Sequence, residues 1–410
     1  MPSPHPGDAL TSRRRVAYIV LLGALTALGP FTVDLYLPAF PALEADFHTS
    51  SAAIQLTLTG TMLGFGLGQL VIGPLSDLVG RRTPLLVATG VHIAASVTAA
   101  LAPNLGVLTI MRVLMGVGAA AGGVIGQAIV RDLFSGRRLI VVLSRLAAIS
   151  GLAPVIAPLI GSTLLLAVSW RGVFYVLAGY GLVMLLCSLL VLPETLPHQQ
   201  RRAGEPGSVR RRYRGVLTDR VFLGVLVIGA MTFSGLFSYL SSSSFLFQQT
   251  YGFTPQQFGM LFAVNSLGLV LGVQVSARLA ARFGPQWVLA YSTLALVASS
   301  AAIVVADRLG LGMWGTIVPL FVFMSSCGFT FPCVQVLALE RHGEAAGTAA
   351  SLIGAANNAV AALASPLVGW ISSSGTITAT TMALVMIGCS TIGVVSLWLV
   401  VRPRSVPTIR

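Results

Sequence analysis

Two ionisable residues stand where chemistry is hard to avoid. Asp34 lies in LGPFTVDLYLPAFP (residues 28–41) and Arg112 in LTIMRVLMGVGAAAGG (108–123), and both stretches are otherwise free of charge. At the centre of a lipid-embedded helix either residue costs about 2.5–3.5 kcal/mol on insertion scales, so each is expected to face the protein interior or a water-filled cavity. Desolvation favours a neutral carboxyl, whereas a nearby guanidinium favours the carboxylate. A site alternating between those environments can carry a proton, and Asp34 with Arg112 nearby is the expected coupling site for proton or substrate. At helical spacing Gly23, Ala27, Pro30, Asp34 and Pro38 share one face, a stripe of mostly small residues able to border a cavity. The plainer readings are that Asp34 partners a polar helix end and that Arg112 is a buried salt-bridge or carbonyl-bound residue.

Other groups offer recognition. Phe233, Phe237 and Tyr239, with Phe245 and Phe247 close by, could wall a planar ligand, and Tyr36, Asn265 and Gln335 are further candidates for lining the cavity. Packing explains such aromatics equally well, and Asn265, Gln335, Asn357 and Asn358 could simply bridge helices. His92 reads as a helix-to-helix hydrogen bonder. Enzyme signatures are missing. GFGLGQ (64–69) follows no strand, the chain contains no Lys for a phosphate-binding loop, there is no H-E-x-x-H, and Cys187, Cys327, Cys333 and Cys389 have no metal-ligand spacing. No catalytic residue, metal or cofactor is expected.

The elements that must position these groups are membrane helices. The 410 residues are 55% hydrophobic and 9% charged, whereas a soluble domain carries charge on about a quarter of its residues. Apolar runs give twelve spans, at 16–40, 51–73, 84–102, 105–130, 139–167, 172–192, 221–247, 256–280, 285–306, 313–338, 347–371 and 376–401. The net charge of +13 comes from 25 arginines. With the N-terminus inside, the outer loops hold only Arg171 and Arg308, Arg112 and Arg145 fall within spans, and every other arginine falls on the cytoplasmic side. The basic balance is therefore a topology signal and gives no reason to invoke nucleic acid. It places a cytoplasmic tail at 1–15, a six-helix bundle at 16–192, a cytoplasmic linker at 193–220, a second six-helix bundle at 221–401 and a cytoplasmic tail at 402–410. A short surface helix near RRRYRG (210–215) could rest on anionic lipid. The halves are weak copies: PLSDLVGRR (74–82) resembles RLAARFGPQ (278–286), and APLIG (157–161) resembles SPLVG (365–369). Parallel six-helix repeats with a midplane site are an architecture of secondary transporters.

Specific motifs point further. The loop after the second span reads GPLSDLVGRRTP, with Gly73, Asp77, Gly80, Arg81 and Arg82 expected in a tight cytoplasmic turn, and Asp77 could form a latch between the halves. This string resembles the G-x-L-x-D-x-x-G-R-R signature of the major facilitator superfamily. The Arg112 run resembles that superfamily's fourth helix, in which Gly116, Gly118, Gly122 and Gly123 would allow close packing. SGLAPVIAPLIGS (150–162) resembles the antiporter motif of drug-exporting facilitators through Pro154, Pro158 and Gly161, with Ala157 and Ser162 in place of two glycines. FTVDLYLPAFP, IVRDLF (129–134, with Arg131 and Asp132 ending the fourth span), SWRGVF (169–174) and LPETLP (192–197) resemble the Bcr/CflA branch of bicyclomycin and chloramphenicol exporters. SSSS at 241–244 departs from that branch.

The resemblance implies an all-α integral membrane protein with twelve transmembrane helices in two six-helix bundles. It also implies alternating access and proton-driven export of small amphipathic drugs, with no cofactor beyond the proton gradient. The expected setting is a monomer in the cytoplasmic membrane of a bacterium. The alternative is an exporter or facilitator of a cellular metabolite, an amino acid or sugar, on the same fold.

Overall fold

The computed structural model describes residues 11–197, 201, 215–340, 346–372 and 377–403. The expected surface helix near 210–215 and the distal tails lie almost wholly outside the described residues.

Apolar runs become helices wherever a polar residue starts them and a turn stops them. The first part contains α1 (Ser12–Asp34), a 3₁₀ turn (Leu37–Ala39), α2 (Phe40–Asp46), α3 (Ser51–Val79), α4 (Arg82–Ala100), α5 (Leu105–Leu133), α6 (Gly136–Leu164) and α7 (Trp170–Val191). There follow α8 (Arg220–Phe245), α9 (Pro255–Phe283), α10 (Pro285–Arg308), α11 (Gly312–Glu340), α12 (Ala346–Ile371) and α13 (Ala379–Ser396), with π-helical turns extending α8 and α13. Asn104 caps α5 by accepting from the Val107 amide at 3.0 Å, and Asp219 caps α8 from Val221 at 2.9 Å. Thr254 and Gln257 close a capping box on α9. Twelve helices among the described residues are long and apolar enough to cross a membrane, with α1 and α2 together forming the broken first span, Arg13–Asp46.

Residues 1–39 with 60–203 form one compact unit, and 40–59 with 204–410 form a second. In the first, α1 packs on α5 and α6, and α4 packs on α5 and α7. Leu22, Leu25, Ile125, Ile129 and Leu146 fill its core. In the second, α8 packs on α11, α12 and α13, and α11 packs on α9 and α10, around Val225, Ile228, Val334 and Leu337. Large apolar side chains such as Leu190 and Trp370 remain exposed, as lipid-facing positions should.

The weak repeat seen in the sequence has a structural counterpart. Helices α3 and α9 each have 29 residues, and so do α5 and α11. Both α3 and α9 end at a left-handed glycine, Gly80 (φ 104°) and Gly284 (φ 86°), which allows the next helix to start within two residues.

Two expectations need correcting. The first span is not one helix to residue 40: α1 stops at Asp34, so Pro38 does not share its face. The cause is Pro38 itself, which has no N–H for the Asp34 carbonyl four residues earlier and whose ring would clash with it. The loop signature is also not all turn. Gly73 and Asp77 lie in the last turns of α3, Gly80 and Arg81 make the reversal, and Arg82 begins α4.

Candidate functional site

The break after Asp34 organises the buried polar groups of the first unit. A helix end leaves carbonyls without donors, and inside a membrane each must find one in the protein. Leu35 N still donates to Phe31 O at 3.2 Å, but the Thr32 carbonyl needs another partner. Arg112 supplies it, with Nη1 2.7 Å from Thr32 O. Its guanidinium carbon lies 3.8 Å from the Tyr36 ring centroid, and Tyr36 in turn packs against Phe174 at 5.6 Å. The Thr32 hydroxyl lies 2.9 Å from His92 Nε2 and donates to Leu28 O at 2.6 Å. Arg112, His92, Thr32 and Tyr36 are fully buried.

Asp34 sits at the C-terminal residue of α1 with 4% of its surface exposed. Its Oδ1 is buried without a hydrogen-bond partner, as are Nε and Nη2 of Arg112. Arg112 is thus tied to the last turn of the helix that Asp34 ends, yet no ion pair joins the two among the described residues; Arg112 spends its bonded nitrogen on the backbone. From the other side, α6 brings its Pro154, Pro158 and Gly161 stretch here. Its helix continues through Pro154 and Pro158, and Gly161 lies so close to the Leu35 carbonyl that a Cβ there would overlap it. In α5, Gly116, Gly118 and Gly122 make equally close contacts with the Thr61, Ala88 and Leu25 carbonyls, whereas Gly123 meets nothing.

A second cluster holds the turn between α3 and α4. Arg81 donates through Nε to Asp132 at 2.9 Å, through Nη1 to Ser76 at 2.9 Å, and also to Asp77. Burial works against its charge, but the bonds and charges of Asp132 and Asp77 outweigh it and raise its pKa. Arg82 donates from Nη2 to Leu189 O at 2.8 Å, whereas Arg131 is exposed and donates to Gln127 at 3.4 Å. Glu194, at the start of the expected linker, was not singled out from the sequence. It accepts from the backbone amides of Arg81 at 2.8 Å, Leu196 at 2.9 Å and Arg82 at 3.2 Å, and Thr195 donates to Asp132 at 3.1 Å. Burial alone would raise the Glu194 pKa, but these amides and the Arg201 charge hold it below the usual carboxylate value.

In the second unit, Phe233 and Phe237 stack at 5.9 Å, and Phe233 meets Phe331 edge-on. Tyr239 stacks on Phe262 at 5.6 Å and accepts from Asn265 Nδ2 at 3.1 Å, leaving Asn265 Oδ1 buried without a partner. Gln335 is exposed, outside this group. Ser241 to Ser244 are all fully buried, and Gln55 Nε2 donates to Ser241 O at 3.3 Å. The serine run is thus a buried polar turn of α8, its hydroxyls spread around the helix, which its departure from the family pattern did not reveal.

Helices of this number, the glycine-turned repeat and buried charge at a broken first span fit one kind of known protein. Residues 21–366 and 247–410 match the Major Facilitator Superfamily. The chain is 34% identical to the uncharacterized MFS-type transporter YdgK of Bacillus subtilis, over 88% of this chain and 90% of that one. It is 29% identical to the bicyclomycin resistance protein homolog of Haemophilus influenzae, over 92% and 94%. Among solved structures, a bacterial homolog of the human lysosomal transporter Spinster aligns with TM-score 0.75 at 15% identity, covering 96% of this chain and 98% of that one. The xylose transporter XylE from E. coli aligns with TM-score 0.75 at 12% identity, covering 97% and 99%. This chain is a multi-pass membrane protein and belongs to the major facilitator superfamily.

Proposed function

We propose that this transporter is a proton-coupled antiporter that exports small amphipathic drugs, of the chloramphenicol or bicyclomycin kind, by alternating access. In this reading it works as a monomer in the cytoplasmic membrane of a bacterium, with both termini inside and a six-helix bundle on either side of the 193–220 linker. The observation that carries it is Asp34, a buried carboxyl with an unbonded oxygen at the end of a broken helix. In its neutral form it needs no counter-ion. Once ionised it calls for a cation, and the unused donors of Arg112 belong to a side chain already tied to the last turn of α1. Protonation can thus change what Asp34 binds without moving a second charged group through the bilayer. One charge crossing 100 mV supplies about 2.3 kcal/mol, before any pH gradient. The names of its relatives, a bicyclomycin resistance homolog and the multidrug resistance protein MdtL of E. coli, support drugs as the cargo.

The test is drug-induced proton release from the detergent-purified protein, with tolerance of expressing cells as its companion. Asp34→Asn should abolish release at unchanged expression, and tolerance to chloramphenicol-like or bicyclomycin-like compounds should vanish with an uncoupler. Undiminished release from the variant would remove Asp34 from the mechanism, and a compound panel with no shift would overturn drug export.

A further inference from the structure

Helices α9 and α10 are joined by the tight turn at Gly284, yet each packs far more extensively on α11 than on the other. The wedge left between them is a groove of about 570 Å³, walled by Leu279, Phe283, Trp287, Tyr291, Ala295 and Phe329. Phe283 is 54% exposed and Tyr291 71%, so the groove opens at the surface of the chain. From Trp287 to Ala295 it follows α10 for about 12 Å at 1.5 Å per residue. That is most of the depth of one leaflet's hydrocarbon, about 15 Å.

Its floor offers little to a polar ligand. The hydroxyls of Ser292 and Ser326, which also line it, already donate to Leu289 O at 3.1 Å and Val322 O at 2.8 Å. Charge is concentrated at one end. Arg278 and Arg282 are exposed one helical turn apart, and the Arg282 guanidinium carbon lies 5.2 Å from the centroid of the groove-lining Phe283 ring. Neither makes an ion pair among the described residues, and Glu340, exposed at the end of α11, pairs with neither. Trp287 and Tyr291, both aromatic with a polar edge, suit the boundary between headgroups and hydrocarbon.

We propose that this groove is a binding site for an anionic phospholipid, with an acyl chain along α10 and the headgroup phosphate on Arg278 and Arg282. A chain with two ends of this character matches an amphipath with a negative head, and the bilayer surrounding the protein supplies one. Bidentate guanidinium contact with phosphate oxygens gives the head its selectivity.

The experiment places the purified full-length protein in phosphatidylcholine vesicles containing a small, equal fraction of dibrominated phosphatidylglycerol or dibrominated phosphatidylcholine. Bromine quenches nearby tryptophan, and subtraction of a Trp287→Phe variant isolates the groove signal from the other four tryptophans. The brominated anionic lipid should compete into the groove about tenfold better than the brominated zwitterionic one at low salt. Arg278→Gln with Arg282→Gln should erase that preference, and Ala295→Phe, which fills the groove, should weaken quenching by both lipids. Equal quenching by the two lipids in the unaltered protein, or a preference that survives loss of both arginines, would overturn the proposal. So would displacement of both lipids alike by the cationic amphipath tetraphenylphosphonium, which would make the groove a drug entrance.

Discussion

Gly161 and Gly151 provide a test of the α1 break on a single helix. Both lie within α6, ten positions apart, and both would gain the same methyl group on substitution by Ala. At Gly151 that methyl meets nothing within 4 Å. Gly151→Ala should therefore stabilise the protein by about 0.5–1 kcal/mol, because a glycine in a helix gives up more backbone freedom than an alanine. At Gly161 the methyl would overlap the Leu35 carbonyl, which is backbone and cannot turn away as a flexible side chain could. Either α6 retreats or Leu35 shifts, and overpacking of this kind costs about 1–3 kcal/mol. Leu35 follows Asp34 directly, so the same displacement moves the carboxyl. The assay is the thermal unfolding midpoint in detergent, paired with drug-induced proton release. The expected result is opposite signs: Gly151→Ala raises the midpoint and keeps release, and Gly161→Ala lowers the midpoint and reduces release. Equal midpoints and equal release for the two variants would refute the argument that α6 is seated on the broken end of α1.

Two further outcomes follow from single contacts. Glu194 has its carboxyl held below the usual value, so its contribution is present above about 4.5, the ordinary carboxylate value, and is lost as pH falls through its lowered native value. Glu194→Gln should lower the unfolding midpoint at pH 7 by the equivalent of about 1–2 kcal/mol, and the gap should close in acid; a gap constant with pH would mean the charge plays no part. Tyr239→Phe should cost about 1–3 kcal/mol by leaving the buried Asn265 amide unbonded, and adding Asn265→Leu should recover most of it in a double-mutant cycle; simple addition of the two effects would show that the bond carries no weight.

Asp34 and Arg112 were legible because hydrocarbon penalises charge so heavily that their presence alone implies shelter. The break at Asp34 was harder to read. Pro38 removes a hydrogen bond from the Asp34 carbonyl, but prolines 74, 154, 158, 319, 332 and 366 also lie within helices and none of those helices stops. A proline shows only that a carbonyl is freed. Whether the helix bends or ends depends on which donors its last carbonyls find, and here one of them, Thr32 O, takes a donor 80 positions away in sequence. Glu194 was missed for a similar reason. It binds backbone amides, which have no residue type to betray them, across a separation of 113 positions. The lining candidates differ in burial, which a helix face conceals: Tyr36 and Tyr239 are buried against other rings, while Gln335 is exposed.

The two repeats share the lengths of α3 with α9 and of α5 with α11 and the glycine turns, but not their charges. Asp34, Arg81, His92 and Arg112 are the buried Asp, His and Arg side chains among the described residues, and all four belong to the first unit. The second repeat buries neutral polarity instead: the serine run of α8, Asn265 and Tyr239. Physical economy explains why such a split can persist after duplication. A buried charge needs an arranged partner or a helix end to sit on, and a second copy would double that desolvation cost without adding a second step. Hydroxyls and amides can turn to meet ligands of varied shape, since each donates or accepts without a fixed counter-charge. In the proposed antiport the proton site therefore sits on one repeat, where Pro38 breaks the helix, and the buried hydroxyls that can adapt sit on the other, where α8 runs unbroken through its serines.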